Sequence, residues 1–250
     1  MPFLMDKQLI LACHFTGIYD VNRNTTLKDD DYSIVQAWAE SIAAQQLKGI
    51  IFHNNFTTAT CSKYQNEYLD FIKIEHNTRY NPNVYRYLIY RDFLRAHSAA
   101  LESVFVTDVS DVVTLSNPFI HPFFTENPAA IFCGDEPKPL HNEWMEAHSV
   151  HLRTKIAGYA AYEAAFKDSP LLNCGIIGGN IRVIQAFLEK LAGIHEQFNH
   201  DNQTAYTGDM GAFNYLMHTQ FNDLVLHGSP VNTIFKGYEL DRTDCWFRHK

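Results

Sequence analysis

Short apolar runs alternate along the chain with amphipathic stretches. Gln8-Leu9-Ile10-Leu11-Ala12-Cys13, Gly49-Ile50-Ile51-Phe52, Val104-Phe105-Val106, Ala130-Ile131-Phe132-Cys133 and Gly175-Ile176-Ile177 are runs of the kind that strands buried on both faces require. Helical spacing fills the intervals. Ile34, Trp38 and Ile42 recur at i, i+4 and i+8, and Val84, Tyr87, Tyr90 and Leu94 keep a 3,3,4 spacing. Ile181, Ile184, Leu188 and Leu191 keep 3,4,3 behind Asn180, which reads as an N-cap. This alternation predicts an α/β fold with a mostly parallel central sheet flanked by helices. No repeat, low-complexity tract or Gly/Ser linker interrupts it, so a single domain over residues 1–250 is expected.

Composition narrows the class. With 46% hydrophobic and 14% aromatic residues in 250, the chain is neither disordered nor fibrous, nor a disulfide miniprotein. A net charge of −8 and the absence of a Lys/Arg block exclude a protein held on nucleic acid by counterion release, so no nucleic-acid partner is expected. Five widely spread cysteines without a CxxC pair read as reduced thiols. The longest unbroken apolar stretch near the start, Leu9 to Ala12, is too short for a signal sequence or a membrane span. The expectation is a cytoplasmic protein without a transmembrane segment, free or peripheral at a membrane.

In open sheets of this type ligands bind beyond the carboxyl ends of the strands. The residues that follow the apolar runs are therefore candidates: His14, Phe15 and Thr16; His53, Asn54 and Asn55; Thr107 to Asp111; Gly134, Asp135 and Glu136. The third set is the most informative, because a buried strand opens into Asp108 and Asp111 with two residues between them. Two neighbouring carboxylates repel, and a divalent cation relieves the repulsion. Hard oxygen ligands suit Mg²⁺ or Mn²⁺, which can in turn hold the phosphates of a nucleotide. The competing reading is that both aspartates cap turns.

A hydrophobic strand ending in an acidic pair resembles the nucleotide-sugar glycosyltransferases of the GT-A fold. Their usual pattern is Asp-x-Asp; the Asp-x-x-Asp spacing here is similar to the variant of procollagen hydroxylysine glycosyltransferases. Three further segments agree in order. Leu172-Asn173-Cys174-Gly175-Ile176-Ile177-Gly178-Gly179-Asn180 is similar to the Asn-x-Gly-x-x-Gly segment that lines the sugar pocket. That implies Asn173 at the sugar, with the glycines of the segment, Gly175, Gly178 and Gly179, letting backbone approach the ligand and Gly178-Gly179 making the turn into the next helix. Thr207-Gly208-Asp209-Met210-Gly211 is similar to the acidic helix start near donor and acceptor, which implies a role for Asp209. Leu224-Val225-Leu226-His227-Gly228 is similar to the strand whose histidine completes the metal site, which implies His227 as third ligand. Taken singly, these segments also read as a strand-to-helix turn, a helix-dipole aspartate and a structural histidine. Their joint order, across about residues 8–236, favours the resemblance.

Other groups fit around this frame. Arg79, Arg86, Arg91 and Arg95 concentrate positive charge before the acidic strand, so one could reach a diphosphate, against a solvated helix face for each. The resemblance, in which a basic residue often sits on the helix before the acidic motif, implies Arg86. The resemblance implies a nucleoside-binding half at about 1–115, with His14 and Thr16 at the nucleoside, and an acceptor half at about 116–250. Asp135 and Glu136 are adjacent, so in an extended segment only one faces the site; Asp135 is taken as a substrate-binding candidate. Trp144, Tyr159, Tyr162 and Phe166, with His148 and His151, read either as core or as an acceptor-side lid with an aromatic sugar platform. The segment Asp244 to Lys250 is read as one that could close over bound nucleotide, although it carries no motif.

The implied activity is transfer of a sugar from a nucleoside diphosphate donor to a hydroxyl of a glycan, lipid-linked glycan or protein. Mn²⁺ or Mg²⁺ held by Asp108, Asp111 and His227, with Arg86, would meet the charge that grows on the leaving oxygen. Asp108 also reaches the donor, and Asp209 or Asn173 orients the sugar. Two alternatives stand beside it: a metal-dependent phosphohydrolase or nucleotidyltransferase, whose N-terminal signatures His14-Phe15-Thr16-Gly17 does not supply, and a catalytically inactive glycan-binding module.

Overall fold

The computed structural model describes residues 6–20, 25–199 and 208–250. In chain order the first part comprises β1 (Gln8–His14), β2 (Tyr19–Asp20), β3 (Thr25–Thr26), α1 (Ser33–Ala44), β4 (Gly49–His53), α2 (Thr58–Tyr64), β5 (Leu69–Lys73), α3 (Pro82–His97), β6 (Ser103–Thr107) and β7 (Val112–Thr114). There follow α4 (Pro122–Thr125), β8 (Ile131–Pro139), α5 (Glu143–Lys155), α6 (Tyr159–Phe166), β9 (Pro170–Asn180), α7 (Ile181–Phe198), α8 (Asp209–Gln220), β10 (Val225–His227) and β11 (Phe247–His249). A seven-stranded sheet in the order β10-β8-β9-β6-β1-β4-β5 forms the centre. It is parallel throughout except for β9, which runs antiparallel to both β6 and β8. The expected α/β architecture, a mostly parallel sheet flanked by helices, is what the chain forms.

Alternate residues of the strands feed two apolar layers. Leu9, Leu11, Val104 and Val106 pack with α3, α7 and α8 on one face, while Ile10, Ala12, Phe105 and Ile176 pack with α1 and with Trp246 on the other. Burial on both faces explains why these strands read as unbroken apolar runs instead of alternating ones. Each fully buried Leu, Ile or Val contributes about 1.5–3 kcal/mol.

The predicted helices form where their spacing placed them. On α3 the stripe Val84, Tyr87, Tyr90 and Leu94 is buried, and the helix opens with Asn81 accepting from the Asn83 amide ahead of Pro82. On α7 Ile181, Ile184, Leu188 and Leu191 are buried, and the Asn180 side chain accepts from the Arg182 amide. On α1 the buried face is Val35, Trp38, Ala39 and Ile42; Ile34 instead turns toward a cavity.

One expectation about β9 fails. Gly178 and Gly179 do not form a turn beside a ligand; they are strand residues paired with Phe105 and Val104. A Cβ on Gly178 would enter the Phe105 ring, and one on Gly179 would lie 2.6 Å from the Ala130 carbonyl oxygen. Because β9 is antiparallel, the chain moves away from the carboxyl end of β6 as it runs from Asn173 to Asn180. The two glycines therefore serve packing in mid-sheet.

Candidate metal centre and active site

The site grows from the end of β6. Thr107 accepts from the Trp38 indole at 2.8 Å, and the Asp108 amide donates to the Gly175 carbonyl at 2.8 Å, so the ladder with β9 continues one residue past the strand. The chain then turns through Val109 and Ser110 to Asp111 and enters β7, which pairs antiparallel with β11 in the register Val112 to His249. Trp246 and Phe247, both fully buried against Phe105, fix β11 in place, and the Lys250 amide donates to the Asp111 carbonyl at 2.9 Å.

This pairing carries His249 to the aspartates. Its Nε2 lies 4.0 Å from Asp108 Oδ2 and 3.8 Å from Asp111 Oδ2. Among the described residues these three side chains form a group whose ligand atoms all fall within 4.8 Å of one another. An octahedral ion with bonds of about 2.1 Å separates its ligands by roughly 3.0 Å at adjacent and 4.2 Å at opposite vertices, so one ion fits with small adjustments. Two carboxylates and an imidazole match the donor preferences of Mn²⁺ and Mg²⁺, with the nitrogen favouring Mn²⁺. The space between them exists because residue 175 is glycine. A Cβ there would lie 2.8 Å from Asp108 Oδ2 and 3.0 Å from Asn173 Oδ1, and would press on the His249 ring.

Arg86, on α3, forms a salt bridge with Asp108 Oδ1, leaving Oδ2 toward His249 and Asp111. Its guanidinium also lies 3.9 Å from Asp209 and donates to the Tyr87 hydroxyl oxygen at 2.9 Å and to Cys174 Sγ at 3.4 Å. Burial on its own would lower its pKa, but the Asp108 carboxylate foremost holds it well above the ordinary value, and the group stays charged. Asp209 begins α8 behind Gly208, whose φ of 69° suits glycine. Thr207, at the start of the acidic segment, lies outside the described residues. Asn173 accepts from the Gly175 amide at 2.7 Å and donates to Glu136 at 2.8 Å.

Two adjoining cavities meet at this group, and Asn83, Arg86, Asp108 and Asp111 line both. The first, about 310 Å³, is walled by His14, Phe15, Tyr19, Ile34 and Ser110. The second, about 540 Å³, is walled by Glu136, Trp144, His148, Asn173, Asp209 and Phe235.

Several expected residues stand elsewhere. His227 is not part of the ligand group. It lies on β10 at the far edge of the sheet, three strands from β6, about 14 Å away by strand spacing. Its Nδ1 is 2.9 Å from Asp135 Oδ2, and Asn232 donates to Asp135 Oδ1 at 3.2 Å. Burial pushes the Asp135 carboxyl up, but the bonds from His227 and Asn232 outweigh it and leave it below the ordinary value. Asp135 is thereby turned away from both cavities, and its neighbour Glu136 faces the second one, as alternation along an extended segment requires. Thr16 lines neither cavity: its amide donates to Asn54 at 3.0 Å and its carbonyl accepts from the Asn54 side chain at 2.9 Å, which braces the loop after β1. His14 does line the first cavity, stacked on Phe56 at 5.2 Å.

No protein-family model matches the chain, and no curated protein is similar to it in sequence. Among solved structures it is similar to the galactosyltransferase LgtC, described in complex with donor and acceptor sugar analogues. That similarity covers 97% of this chain and 86% of the other, at 14% identity and a TM-score of 0.49.

The sequence does not assign His249 to the ion, and it marks Gly175 only as one glycine of the sugar-pocket segment. For His249 the sequence offers no pattern of sufficient length, because β11 is only three residues, and its alternation of buried and half-buried positions emerges in the fold. No described helix is long and apolar enough to cross a membrane.

Proposed function

We propose that this chain is a metal-dependent glycosyltransferase that moves a sugar from a nucleoside diphosphate donor to an acceptor hydroxyl. The observation that carries the reading is the placement of Asp108, Asp111 and His249 where the two cavities meet, at the carboxyl edge of the sheet. A donor laid across that junction has its nucleoside in the first cavity, its diphosphate at the three ligands and its sugar in the second. The division accords with halves meeting near residue 115. The first cavity is walled by residues between Cys13 and Asp111, and the second adds residues from Glu136 to His249. Five free cysteines accord with a reducing, cytoplasmic setting.

The side chains divide the work. Asp108, Asp111 and His249 hold the ion, and Mn²⁺ or Mg²⁺ bound there supplies positive charge beside the departing phosphate oxygen. Arg86 fixes the Asp108 carboxylate and extends the positive field toward Asp209. Asn173 and Asp209, both on the second cavity, orient sugar hydroxyls. Glu136, steadied by Asn173, stands where an acceptor proton would be received.

The test is a thermal-denaturation screen of nucleoside diphosphates with and without Mn²⁺. A ligand at 100 times its Kd raises stability by about 2.7 kcal/mol. The melting temperature should rise when ion and nucleotide are both present, and Asp111→Ala should abolish that rise. If no nucleoside diphosphate shifts the melting temperature with Mn²⁺ present, the reading is wrong. Release of inorganic phosphate from the nucleotide would favour the phosphohydrolase alternative.

A further inference from the structure

Of the aromatic residues between 144 and 166, Tyr159 and Tyr162 are buried in the core with Phe166 packed against it, whereas Trp144 is 40% exposed. The inward face of α5 is made by Met145, His148, Ser149 and Leu152, so Trp144 is not needed to hold the helix down. Its indole is nonetheless fixed. It stacks on the His148 ring with centroids 3.5 Å apart at 29°, and His148 Nδ1 bonds the Trp144 carbonyl at 2.8 Å. Both rings line the second cavity, together with Phe235, Glu136 and Lys138. Burial keeps His148 below its ordinary pKa, so the stack is between uncharged rings near neutral pH.

We propose that the Trp144–His148 stack is the platform for a pyranose ring of a glycan acceptor. This rests on the glycosyltransferase reading and adds the acceptor class to it. The electron-rich face of an aromatic ring attracts the weakly positive C–H groups on one face of a pyranose. Equatorial hydroxyls at the rim of such a ring donate to carboxylates and accept from ammonium groups, and Glu136 and Lys138 line the same cavity. Pre-stacking on His148 removes most of the ordering cost for the indole. The cavity sets an aromatic wall beside the sugar end of the donor path, which favours a glycan over a peptide acceptor.

Trp38 and Trp246 are 1% and 0% exposed, so quenchable tryptophan emission reports on Trp144. Acrylamide quenching in the Mn²⁺-loaded protein, without nucleotide, is measured against a panel of methyl pyranosides and against serine- and threonine-containing peptides. At least one pyranoside should protect Trp144 saturably, and ligand-observed NMR should show that Trp144→Ala weakens its binding about threefold to tenfold, with Trp144→Phe intermediate. Protection by peptides alone, protection by no pyranoside, or unchanged pyranoside binding in Trp144→Ala overturns the proposal. Because nucleotide is left out, these outcomes are independent of the nucleoside diphosphate screen, and either reading can fail alone.

Discussion

Gly175 has no side chain, and the volume a Cβ would take is bounded by Asp108, Asn173 and His249. Gly175→Ala should therefore abolish Mn²⁺-dependent stabilisation by a nucleoside diphosphate. At Gly193, in α7, an added Cβ would meet nothing within 4 Å, and Gly193→Ala should raise the urea midpoint by an amount worth about 0.5–1 kcal/mol. Equal effects of the two changes would mean that crowding at residue 175 is unimportant. The two histidines make a similar contrast. His249→Ala should weaken Mn²⁺ binding, read by calorimetry, by at least about tenfold, while His227→Ala should leave it within about twofold. The reverse result would return the third ligand to β10. In sequence His227 was the more visible of the two, because it follows an apolar run and precedes glycine, whereas His249 is brought to the aspartates by pairing between β11 and β7. Asp108, Asp111, Arg86 and Asp209 were legible because each lies at an element boundary or on a strongly patterned helix, and Asn173, inside β9, because it opens an Asn-x-Gly-x-x-Gly pattern.

Among the elements, β9 shows what periodicity carries and what it does not. An apolar run marks a buried strand equally well in either direction, so the run at Gly175–Ile177 was readable while its antiparallel sense was not. Everything misplaced about Gly178 and Gly179 follows from that reversal. The segment β11 is three residues long, too short for a pattern to stand out, and its position depends on Trp246, which packs on Phe105, Phe124 and Phe132. Trp246→Ala should cost about 3–5 kcal/mol in denaturant titrations and should remove Mn²⁺ affinity even where the protein is folded. A variant that is destabilised yet binds the ion normally would show that β11 does not position His249.

The whole molecule carries a pH dependence set far from the ligands. His195 is fully buried, its Nε2 has no hydrogen-bond partner among the described residues, and burial lowers its pKa to about 3. His53 is likewise lowered by burial, to about 4. The unfolded chain takes up a proton at each near pH 6.5, while the folded chain does not until the depressed value is reached. The unfolded state then binds more protons, so stability is complete above pH 6.5 and falls by about 1.4 kcal/mol per pH unit for each histidine as the pH drops. The loss runs to about pH 4 for His53 and about pH 3 for His195. His195→Gln, which keeps an acceptor for Asn199, should flatten the acid limb of urea midpoints against pH; an unaltered slope would count against a neutral His195.

The order of strands also bears on how the native state is reached. β1, β4, β5 and β6 pair among themselves within the stretch 8–107, but among the described residues β6 gains its other neighbour only from β9, and β7 is joined only by β11. Long sequence separations close slowly, since the entropy of the intervening loop is lost before the contact forms. During refolding, secondary structure should thus return ahead of ion affinity, with the histidine arriving among the final native contacts.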